Sequence, residues 1–79
     1  MLKPHASKAD FETAFKGFHY PISKPAILTM GRDKGGIDRE VAFILGRIPA
    51  RKYTNEDEIR EAVRDVYRSH GVPDDDLPI

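Results

Sequence analysis

Three histidines, a run of three aspartates, a glycine-flanked Arg-Asp-Lys segment and a basic corner ending in tyrosine hold the sequence's potential for chemistry. His5, His19 and His70 are far apart, and no two share the i, i+3 or i, i+4 spacing by which a helix offers two ligands to zinc. Asp74-Asp75-Asp76 lacks the glycine and terminal glutamate of a calcium loop, so it reads as a solvated acidic tail. Gly31-Arg32-Asp33-Lys34-Gly35-Gly36 has the glycines of a phosphate loop. It lacks the Gly-Lys-Ser/Thr ending, no strand precedes it, and a turn between helices accounts for it. Ser7, Ser23 and Thr54 stand where helices start and Ser69 in a last helical turn; His70, which follows Ser69, reads more simply as a cation at a helix C-terminus than as a base for it. These readings assign no catalytic residue, no metal ligand and no cofactor, and they predict a protein that is not an enzyme.

What remains is binding. Arg47, Arg51, Lys52 and Tyr53 form the candidate interaction surface, because tyrosine and arginine are enriched where partners are gripped. Lys24 and Arg32 would extend this basic footprint if the fold brought them near. Packed rings that pin two corners of the chain are the simpler role for Tyr20 and Tyr53. The sequence predicts a protein partner first and nucleic acid second, held weakly through phosphates, since a net charge of zero opposes avid binding. The stretch Arg39-Glu40-Val41-Ala42-Phe43-Ile44-Leu45-Gly46 could pass for a recognition helix. It is too apolar to read base edges and belongs in a core.

The elements that would position these residues must form one domain, since 79 residues leave room for one small core. A domain of this size buries only about 60% of the surface its unfolded chain exposes. Cysteine is absent, which excludes disulfides and thiolate chemistry and favours a reducing, cytoplasmic setting. No apolar run nears the ~20 residues of a membrane span, and the N-terminus lacks the apolar stretch of a signal peptide. Charge is uneven: residues 1–36 carry six Lys/Arg against three Asp/Glu, and residues 37–79 carry seven against ten.

Four helices are expected. Ser7 caps the first, and Phe11, Ala14, Phe15 and Phe18 form its stripe before Gly17 stops it. Ser23 caps the second, with Pro25 in its first turn, and Ile22 and Ile27 have the spacing of a hydrophobic staple. Gly31 weakens that helix by about 1 kcal/mol relative to alanine, and Gly35-Gly36 ends it. Asp38 caps the third, whose stripe of Val41, Ile44, Leu45 and Ile48 is widened by Ala42 and Phe43 and stopped by Pro49. This most apolar segment belongs at the centre, so Leu45→Ala is expected to cost about 2–5 kcal/mol. The fourth helix starts at Thr54, buries Ile59, Ala62, Val63, Val66 and Tyr67, and ends at Gly71. No strand alternation is visible.

These residues resemble the bacterial family known as domain of unknown function 2795. The resemblance rests on Gly17, Tyr20, Pro21, Ser23, Lys24, Leu28, Gly35, Val41, Leu45, Ile48, Pro49, Tyr53, Ile59, Ala62 and Val63, and on the spacing of the two tyrosine corners. Gly31 and Gly36 depart from it where alanine is usual. It implies a mainly helical bacterial domain and carries over no site residue. The expected architecture is all-α: a compact bundle of four short helices over residues 7–72, a flexible N-terminal arm over 1–6 and a disordered acidic tail over 73–79. The expected function is a non-catalytic protein-interaction module.

Overall fold

A computed structural model describes residues 4–34 and 37–79. Among them are four α-helices, α1 (Lys8–Phe15), α2 (Lys24–Lys34), α3 (Arg39–Leu45) and α4 (Glu56–Ser69), with two short strands, β1 (Ile22–Ser23) and β2 (Lys52–Tyr53). The mainly helical class read from the sequence is the observed one. Gly35-Gly36, the expected end of the second helix, and residues 1–3 of the arm lie outside the described residues.

Local chemistry sets most of the boundaries. Ser7 and Asp10 exchange hydrogen bonds in a capping box that opens α1: the Asp10 amide donates to Ser7 Oγ at 3.3 Å and the Ser7 amide to Asp10 Oδ2 at 2.8 Å. Gly17, at φ +90°, then turns the chain so that Phe18 packs back beside Phe15. Asp38 Oδ1 accepts from the amides of Glu40 and Val41 and starts α3. At the end of α4, Gly71 takes φ +86°, its amide donates to Arg68 O and the Val72 amide reaches Tyr67 O at 3.1 Å. That is a Schellman stop, and it carries Val72 into the core. One start differs from expectation. Asn55, not Thr54, caps α4, its side chain accepting from the Glu58 amide at 3.0 Å, while the Thr54 amide donates to Glu58 Oε1 at 2.7 Å.

The strands were not visible in the sequence, and they join the two tyrosine corners. Ile22 pairs with Tyr53 and Ser23 with Lys52 in antiparallel register, and the Lys24 amide extends the ladder to Arg51 O. The Tyr53 ring is fully buried and its hydroxyl donates to Pro49 O at 2.6 Å, which locks the turn between α3 and β2. Tyr53→Phe should therefore lower stability by about 1 kcal/mol in urea unfolding, since the Pro49 carbonyl loses its partner. A change within error would mean that the turn holds without this bond.

The core gathers Phe11, Ile27, Val41, Ile44, Ile48, Tyr53, Ile59, Val63 and Tyr67, each fully buried. α3 packs against α1, α2 and α4, so it holds the central place. Described residues of both the arm and the tail pack against the domain. Ala6 is buried, and the acidic segment passes through a 3-10 turn (Asp74–Asp76) that brings Leu77 and Ile79 against the core. Arg68 holds this turn through Asp74 at 2.9 Å, and Arg64 reaches the backbone oxygen of Ile79 at 3.1 Å. The three aspartates stay exposed, and Leu77 and Ile79, which follow them, are half-buried. Among the described residues no helix is long and apolar enough to cross a membrane.

Candidate functional site

α3 turns Val41, Ile44 and Leu45 inward, and this leaves Arg39 and Phe43, one turn apart, on its outer side. Phe43 was expected to widen the buried stripe. It is instead 41% exposed, the one large hydrophobic side chain so placed among the described residues. The stripe at 41, 44 and 45 already fills the core side of a helix this short, and position 43 falls about 150° from the middle of it. Arg47 lies one turn further on, its guanidinium 4.9 Å from the centre of the Phe43 ring. The His70 ring stands 5.9 Å from the same ring, tilted at 56°. A concavity of about 460 Å³ opens beside Phe43, bordered by His5, Asp38, Arg39 and Glu40.

The carboxylates around this ring are occupied. Asp38 caps α3. Glu40 accepts from the amides of His5 (3.0 and 3.1 Å) and Ala6 (3.0 Å) and from the Tyr67 hydroxyl (2.7 Å). One side chain thus ties the arm before α1 to α3 and α4. Burial by itself would raise the Glu40 pKa, but the two amides and the hydroxyl outweigh it and hold the carboxyl below its ordinary value. Burial, and then the bond to Glu40, push the Tyr67 hydroxyl well above the usual tyrosine range. Arg39 and Arg47 have no carboxylate partner among the described residues, whereas Arg60, Arg64 and Arg68 on α4 are all ion-paired.

The four residues expected to form the interaction surface are divided by the fold. Arg47 belongs to the Phe43 cluster. Arg51 lies 4.9 Å over the face of the Tyr53 ring and reaches Glu58 at 3.4 Å, so its charge is already answered. Lys52 is exposed on β2. Tyr53 is buried, which removes its ring from any contact surface; burial also raises the pKa of its hydroxyl. Lys24 does join this corner, since its neighbour Ser23 pairs with Lys52. Arg32, eight residues further along α2 and about 12 Å away by helical rise, does not. That reading did not include Phe43 and Arg39, which the fold places on the same side as Arg47. Their signal was the four-residue spacing of Arg39, Phe43 and Arg47 on the side of α3 opposite its apolar stripe.

A family model described as protein of unknown function (DUF2795) matches residues 6–60, and the chain belongs to that family. The match runs from the arm held by Glu40 through both tyrosine corners into α4. No curated protein and no solved structure matches the chain.

Proposed function

We propose that this domain is a non-catalytic protein-interaction module of a bacterial cytoplasmic protein, and that its contact face is the outer side of α3. The exposure of Phe43 carries the reading. An aromatic ring held by Arg47 and His70 loses little freedom on binding, and rings of this kind flanked by arginine anchor protein interfaces. With Arg39 and Arg47 unanswered and the nearby carboxylates committed, the complementary partner is a protein segment that carries an apolar side chain between acidic ones. The non-catalytic part rests on the sequence, where helix starts account for Ser7, Ser23 and Thr54, a last helical turn for Ser69, and the end of that helix for His70 beside it.

A photo-crosslinking residue placed at Arg39 tests this in cells. It should give a discrete adduct that disappears when Phe43→Ala or Arg47→Glu is added. Phe43→Ala should itself cost less than about 1 kcal/mol, because the ring is half out of the core. An adduct that survives both substitutions, or none at position 39, would refute the assignment. Nucleic-acid binding through Arg47, Arg51 and Lys52 is the rival, and it is weaker because Arg51 is paired with Glu58. It requires salt-reversible amide shifts around residues 47–53 when duplex DNA is added at low salt.

A further inference from the structure

A second concavity lies on the other flank of α3, between α2 and α3, and shares no lining residue with the one beside Phe43. It holds about 410 Å³, within the range of small-molecule sites. Its walls are Ile27, Leu28, Ile37 and Leu45, and among the described residues Arg32 is the one charged residue that borders it. Arg32 is exposed and has no carboxylate partner among the described residues; Asp38, near in sequence, is engaged with the first amides of α3.

Gly31 adds an independent observation. It sits within α2, where glycine weakens a helix, and a Cβ built on it would meet nothing within 4 Å. No packing neighbour and no positive φ requires glycine there. What the missing side chain does is leave the mouth of the groove open beside Arg32.

We propose that this groove binds an aliphatic carboxylate, with the chain along Leu28 and Ile37 over the buried floor of Ile27 and Leu45, and the carboxylate on the Arg32 guanidinium. An apolar slot with, among the described residues, a single cation at its rim complements a ligand that has one anionic end and no further polar group. A guanidinium fork also matches a carboxylate in two parallel hydrogen bonds. The α2 wall from Ile27 to Arg32 rises only about 8 Å, which suits a chain better than the face of a docked helix.

An NMR titration of the isotope-labelled protein with straight-chain carboxylates of six to ten carbons, kept below micelle-forming concentrations, tests this. Amides of residues 27–32 and 42–45 should shift. Affinity should tighten about fourfold per added methylene until the groove is full, equivalent to about 0.8 kcal/mol each. The alcohol of equal length should bind at least about tenfold more weakly, and Arg32→Gln should erase that preference. Gly31→Leu should abolish binding while raising Tm, because leucine fills the mouth and favours the helix. A flat chain-length series, equal binding of acid and alcohol, or shifts confined to residues elsewhere would overturn the proposal. So would a Gly31→Leu protein that folds and binds as before. Tighter binding of an uncharged apolar peptide would assign the groove to a protein partner and overturn it too.

Discussion

Replacing Ile44 with alanine is expected to remove about 2–5 kcal/mol of stability. Ile44 is fully buried on α3, the helix that packs against the other three. Its truncation takes apolar contacts from several elements at once and leaves a cavity that no single side chain can move to fill. A domain of this length holds only about 4–12 kcal/mol in all, so the variant should be partly unfolded near room temperature or unfold at much lower urea. Leu45→Ala should fall nearer the low end of the range, because Leu45 borders the open groove beside α2 and part of its surroundings is already empty. Urea unfolding followed by far-UV circular dichroism, with the slope checked for two-state behaviour, gives both values. A loss below about 1 kcal/mol for Ile44, or a larger one for Leu45, would show that the core is centred elsewhere.

The helices were legible because their signals are local. Ser7 with Asp10, Gly17, Asp38 and Gly71 act on backbone groups within four residues, and each lies where sequence rules put it. Errors came where neighbouring residues compete or where the partner is distant. Thr54 and Asn55 are both good caps. Asn55 takes the role because its side chain reaches the Glu58 amide, which leaves the Thr54 amide to the Glu58 carboxylate. The strands have two residues each, too short for any alternation, and they exist because the two corners meet in space. The same limit hid the candidate surface. Tyr53 resembled a contact residue because it follows two cations, yet its burial depends on a ladder partner thirty-one positions earlier. Phe43 resembled a core residue because it stands among apolar neighbours, and only the full packing of α3 shows that the inward side is already occupied.

Glu40 is the side chain whose importance sequence understates most, and its removal should have the second large effect. In the sequence it is one acidic residue in a first helical turn; in the fold it closes the arm onto α3 and α4. Glu40→Ala strands the Tyr67 hydroxyl in a buried position and frees two amides, an expected loss of about 2–4 kcal/mol. Glu40→Gln keeps the shape but replaces charge-assisted bonds with weaker ones, so it should lose less. The pH dependence separates charge from shape. The folded chain holds this carboxyl below its ordinary value of 4.5, so the unfolded chain takes up the proton more readily. The stabilisation from the charge is therefore complete above about pH 4.5 and lost as pH falls through the lower, folded value. The gap between wild type and Glu40→Gln should accordingly be constant from neutral pH down to about 5 and shrink in more acid solution. Tyr67→Phe in the same background decides where the energy resides. If Glu40 acts through Tyr67, the double variant should lose less than the sum of the two single losses. If the losses add, the clamp on His5 and Ala6 carries the effect, and amide exchange at those two positions should rise with Glu40→Gln but not with Tyr67→Phe.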